Sequence, residues 1–196
     1  VMFLGVILLC ASSWEVETTE YPNIRDLRQH ESSLLEQAKD NGYIYAVKIV
    51  RGAYMEKERN RAKALGYPSP IQPNKAATDL DYNNALKLTL KNLQHMAVVI
   101  GTHNEESIQL AATLLKETNL TLDHPGVYVA QLFGMSDHIS FNASNAGLNT
   151  AKYLPFGPVR DVLPYLFRRA EENTSVEGQT GRELKLIQEE LARRNS

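Results

Sequence analysis

Lys48 interrupts an otherwise apolar run, Ile44–Val50, and Arg51-Gly52-Ala53-Tyr54 follows at once. A charge in a buried strand is costly unless it is paired or faces a ligand. Gly52, with no side chain, lets a ligand approach the backbone closely. A lysine that snorkels to solvent before an ordinary strand-exit turn satisfies the same pattern. Gly101-Thr102-His103-Asn104 follows a second apolar run and offers a hydroxyl, an imidazole and an amide, groups that hold phosphate or polar ligand atoms. Thr102 or Asn104 is expected to cap the next helix, with Glu105 and Glu106 in its first turn favoured by the helix dipole. That duty does not use His103.

Tyr165, Arg168, Arg169 and Glu172 recur at i, i+3, i+4 and i+7, which places them on one helix face. An exposed Arg168–Glu172 pair is worth only about 0.3–0.5 kcal/mol. Shielded from water, two arginines beside an aromatic ring form a carboxylate clamp, each charged hydrogen bond contributing about 1.5–3 kcal/mol. Spacing alone favours the solvated face. No histidine pair has metal-ligand spacing, so no metal site is expected, and the dinucleotide, P-loop and nucleophile-elbow motifs are absent.

The elements that must position these clusters are legible in outline. Apolar runs at 44–50, 97–101, 127–132 and 152–156 read as strands. Helical spacing relates Tyr82, Leu86, Leu90 and Leu93, and again Ile108, Ala111, Ala112 and Leu115. Val159, Val162, Leu163, Leu166 and Ala170 form a third stripe, and short or charged helices are expected at 33–39 and 181–194. Pro68, Pro70 and Pro73 make 66–74 a loop. Near-continuous apolar strands alternating with helices argue for one α/β unit with a parallel sheet. In such sheets the C-terminal strand ends form the ligand crevice, where the first two clusters fall.

The apolar residues 1–11 are too short to span a membrane and lack the basic opening of a secretory signal. They are expected to form a buried strand; a truncated signal, or a start foreign to the rest, is the other reading. The 196 residues carry 21 Lys and Arg against 23 Asp and Glu, net −2, so no nucleic-acid partner is expected. With 43% hydrophobic and 22% charged residues the chain is globular, and the single cysteine, Cys10, rules out an intramolecular disulfide or a cysteine zinc cluster.

The stretches VKIVRGAYMEKER (47–59), GTHNEESI (101–108), QLFGMSDHISF (131–141), KYLPFGP (152–158) and VLPYLFRRAEENTS (162–175) together resemble the proline dehydrogenase family, flavin-dependent enzymes on a distorted (β/α)8 barrel. The resemblance implies a partial TIM-like barrel, about strands five to eight with the final helix, over residues 32–196. Residues 1–31 are an atypical segment outside it. It implies oxidation of L-proline to Δ1-pyrroline-5-carboxylate, with FAD as cofactor and a quinone as electron acceptor, for which a membrane surface is one expected meeting place. The implied location is bacterial cytoplasm or inner-membrane periphery, or the mitochondrion in a eukaryote.

Position by position, Lys48 falls on the basic residue beside the flavin ring, where it would stabilise the anionic reduced ring. Arg51, Gly52 and Ala53 fall on one FAD-contacting turn, and Thr102 and His103 on a second. Tyr54, Leu132, Tyr153 and Tyr165 match the substrate pocket or its margin. Arg168 and Arg169 match the pair that holds the proline carboxylate, and Glu172 the acid that steadies them. The family's early-strand Lys and Asp and a strand-four Gln have no counterpart, and a complete barrel takes about 250 residues. A truncated, non-catalytic half-barrel acting by association is therefore the second reading. A Schiff-base lysine in an aldolase-like barrel is a third.

Overall fold

Burial alternates along the strands, and that alternation shows which face of the sheet carries the core. Tyr45, Val47 and Ile49 in β2 (Ile44–Val50), Met96, Val98 and Ile100 in β3 (Met96–Gly101), and Val127 and Val129 in β4 (Val127–Leu132) are buried. They pack against Leu35 and Ala38 of α1 (Ile24–Asn41), Tyr82, Leu86 and Leu90 of α3 (Lys75–Lys91), and Ile108, Ala111 and Leu115 of α4 (Glu105–Glu117). Ile139 and Ala143 of α5 (Asp137–Asn145) complete the layer. The opposite face, with Lys48, Val50, Val99 and Tyr128, is half-buried or exposed.

The computed structural model describes residues 3–10, 24–51, 55–160, 162–167 and 179–194. Among these, β1 (Phe3–Cys10), β2, β3, β4 and β5 (Thr150–Tyr153) form one parallel sheet in sequence order. The apolar start is thus a strand, paired with β2. The four strands expected from the sequence are all present. The last ends at Tyr153, three residues short of its expected limit, because Pro155 has no N–H for the ladder and Phe156 stands 99% exposed.

Two helices have no counterpart in the periodicity. α2 (Met55–Leu65) buries only Ala62 among its described side chains, so no apolar stripe marks it. The nine-residue α5 separates β4 from β5, which the sequence ran together; a parallel pair requires such a crossover. α6 (Gln179–Arg194) ends the described chain. Residues 162–167 are helical as spaced, but their stripe is not covered by described residues. Val159 is 70% exposed, and Leu163 and Leu166 are also exposed.

The sheet is an arc. β2 and β5 are three strand spacings apart, and Tyr153 is level with Leu132, beyond Tyr128 at the level of Lys48, so a flat sheet would hold Lys48 and Tyr153 about 19 Å apart, past the joint reach of their side chains. Yet Lys48 Nζ lies 4.9 Å from the Tyr153 ring centroid. The half-buried face must therefore be concave, with strand ends curling toward one another as in a (β/α)8 barrel.

Gly101 ends β3 tight against the end of β2. A Cβ there would lie 2.8 Å from Val50 Cγ1 and 3.1 Å from the Ile49 carbonyl. Gly101→Ala is expected to destabilise by about 1–3 kcal/mol through overpacking, read as a lower urea midpoint. An unchanged midpoint would mean that the strand ends are more loosely held than this.

Candidate functional site

On the concave face, β2 and β5 bring a cation to an aromatic pair. Lys48 Nζ stands over Tyr153, and the Tyr153 and Tyr165 rings meet edge to face with centroids 5.8 Å apart. Register puts these side chains on one face: Lys48 is level with Val99 and Tyr128, and Tyr153 is level with Leu132 further along β4, so Lys48 reaches along the concave face toward the strand ends. A Cβ on Gly101 would come 3.6 Å from Lys48 Cε, so the end of β3 borders the same space. Burial holds the Lys48 ammonium below its ordinary pKa of 10.5.

At the strand ends the polar groups are tied to one another. Arg51 Nη1 donates to Asp79 Oδ1 (2.6 Å), and Nη2 donates to Thr102 Oγ1 (2.7 Å) and Ser107 Oγ (2.8 Å). The guanidinium stacks 4.1 Å from the Tyr82 ring centroid, and its side chain is 14% exposed. Lys75 also pairs with Asp79. Thr102 Oγ1 accepts from the Asn104 N–H (3.1 Å) as well, while Asn104 Oδ1 caps α4 at the Ser107 N–H (3.0 Å). Asn104 is thus the cap, and Thr102 braces Arg51. Buried Gln131 donates to the Thr102 carbonyl (3.2 Å) and accepts from Ser140 (2.7 Å), locking β4 to β3 and α5. His103 Nδ1 lies 2.8 Å from Ser136 Oγ.

The structure thus brings together Lys48, Tyr153 and Tyr165, and separately Arg51 with Thr102. It places His103 against a residue that the sequence did not single out. Gly52, Ala53, Tyr54, Arg168, Arg169 and Glu172 lie outside the described residues. Asp79, Ser107 and Ser136 were missed. Asp79 and Ser107 are polar residues on helices, and nothing in one sequence distinguishes them from surface positions. Among the described residues, no group of three or more His, Cys, Asp or Glu can hold a metal.

These features define a segment of a (β/α)8-type barrel that carries its polar groups at the strand ends. A model of the family described as proline dehydrogenase matches residues 24–182. The human protein "Proline dehydrogenase 1, mitochondrial" is 43% identical over 163 residues, covering 82% of this chain and 27% of that protein. A Xenopus laevis hydroxyproline dehydrogenase is 42% identical over 164 residues, 82% of this chain and 35% of that one. Among solved structures, proline utilization A from Bdellovibrio bacteriovorus, inactivated by N-propargylglycine, superposes with a TM-score of 0.74. It is 27% identical over 88% of this chain and 17% of its own. The chain belongs to the proline dehydrogenase family, and it spans 27% of the length of its human relative.

Two stability measurements follow. A double-mutant cycle of Arg51→Lys and Asp79→Asn is expected to give a coupling energy of about 1–3 kcal/mol, because both partners are largely shielded. A value near zero would mean that the pair is not formed. The second measurement is pH-dependent. Lys48, with its pKa lowered from 10.5, binds fewer protons folded than unfolded, so stability should rise with pH from its depressed pKa up to 10.5. Burial raises the Tyr82 pKa from its ordinary 10.0, against the opposing effects of Arg51 and Thr102. Its contribution is therefore complete below 10.0 and lost above. Urea unfolding between neutral pH and 10 should show the rise, and Lys48→Met should flatten it.

Proposed function

We propose that this segment forms part of an active site that oxidises L-proline to Δ1-pyrroline-5-carboxylate, with FAD as cofactor and a quinone as the final acceptor. The observation that carries the proposal is the half-buried Lys48 over Tyr153 on the concave face. FAD, when bound, would supply the acceptor for the hydride leaving the ring carbon next to nitrogen. Lys48 would then favour electron density arriving at the adjacent ring, since a poorly solvated cation acts strongly on nearby charge.

The residues fit such a group in a graded way. Lys48 and the imidazole of His103 are suited to contact it. Arg51 and Thr102 hydrogen-bond to Asp79, Ser107, Asn104 and each other. We read these two as holding the strand ends in place and, by the family resemblance, as contacts to the cofactor. Tyr153 and Tyr165 would wall the substrate pocket. Arg168 and Arg169, by the family resemblance, would clamp the carboxylate, with Glu172 steadying them. The relatives named mitochondrial support a mitochondrial location. No helix among the described residues is long and apolar enough to cross a membrane.

Ring-hydroxylated proline is a second substrate reading, supported by the 42% identity to a protein named hydroxyproline dehydrogenase. Association without catalysis is another, supported by the exposed stripe of Val159, Leu163 and Leu166.

The test is a chimera in which this segment replaces the matching one of the human relative. Anaerobic L-proline should bleach its flavin, with hydroxyproline as the parallel arm. Arg169→Lys should weaken proline binding by roughly 1.5–3 kcal/mol, because lysine presents a point charge where arginine offers two parallel bonds. Arg160→Lys, at an exposed position, should change it by about 0–1 kcal/mol. A folded chimera that binds FAD but is reduced by neither substrate would overturn the proposal.

A further inference from the structure

Ser136 opens α5 from the left-handed region, at φ 50° and ψ 44°. That conformation is disfavoured for any residue with a side chain, and glycine would adopt it without strain. A serine at a helix start ordinarily turns its hydroxyl onto a backbone N–H of the first turn. Ser136 makes no such bond. Its Oγ lies instead 2.8 Å from His103 Nδ1, and the residue is 5% exposed. It thus forgoes both a relaxed backbone and a cap while facing an imidazole.

The turn is held from outside. Lys152 Nζ donates to the Met135 carbonyl (2.7 Å) and pairs with Asp137 (2.7 Å), so one ammonium pins the residues on either side of Ser136. Two residues further along each segment, in the first turns of α5 and α4, His138 Nε2 lies 3.2 Å from Glu105 Oε1 and links the same two segments again. Strained conformations persist where surrounding structure over-determines them, and they gather at functional sites.

We propose that Ser136 is a positioning residue whose hydroxyl fixes the ring orientation and tautomer of His103. The hydrogen bond at one ring nitrogen decides which nitrogen carries the proton. Ser136 thereby sets whether His103 Nε2 donates or accepts toward the cofactor. This last step rests on the reading of His103 as a cofactor contact.

The experiment is NMR of the His103 ring nitrogens in the isotope-labelled 196-residue chain, with Ser136→Gly and Ser136→Ala beside the unsubstituted protein. The unsubstituted chain should show one dominant tautomer. Both variants should shift the tautomer ratio by roughly two- to tenfold, the scale of one neutral hydrogen bond. Ser136→Gly should melt no lower than the parent, since it relieves the backbone. A purely structural role would raise the melting temperature of Ser136→Gly and leave the tautomer unchanged in both variants, which would overturn the proposal. FAD bound to the labelled chimera separates the underlying reading. If the tautomer depends on Ser136 but FAD moves no His103 resonance, the cofactor contact fails and the positioning stands. If FAD moves His103 while the tautomer ignores Ser136, the positioning fails.

Discussion

The curl of the parallel sheet that sets Lys48 against Tyr153 is the constraint on which the rest of the arrangement depends. A flat sheet would leave the two strands too far apart for that contact. Their half-buried face would then be open surface on which a lysine is simply hydrated. Curling shields the ammonium enough to depress its pKa and turns two tyrosines into a wall. The helices on the convex face provide the apolar layer that makes this shape stable.

The strand ends have to be fixed for the concave face to be of use, and Arg51 does much of that. From the end of β2 it reaches α3 through Asp79, the residue after β3 through Thr102, and α4 through Ser107. Gln131 extends the bracing to α5 through Ser140. These buried or part-buried polar groups are satisfied by one another, which is what allows them to lie inside an otherwise apolar layer. Removing one member would leave the others desolvated and unpaired.

The strands were legible because a parallel sheet buries their residues in near-continuous apolar runs, and Lys48 stood out against that background. The cap at Asn104 was legible as one of two candidates. What escaped was of two kinds. α2 shows no apolar stripe, and α1 begins nine residues before the expected helix because Glu31 breaks the spacing between Leu27 and Leu34. The partners of the site residues are long-range: Asp79 lies 28 positions from Arg51, and Ser136 lies 33 from His103. Local spacing carries no trace of such pairs. The resemblance supplied roles for Lys48, Tyr153 and Tyr165 that bottom-up reading had left open or had not proposed, and the geometry groups these three residues on one face.

The central claim is that the concave face is where the cofactor ring and proline meet. A crystal structure of the chimeric protein with FAD and a proline-like carboxylate addresses it most directly. The account predicts the flavin ring within contact distance of Lys48, bordered by the end of β3, with the small ligand against Tyr153 and Tyr165. A flavin seated on the convex, helix-covered side, or a Lys48 out of reach of both molecules, would contradict it.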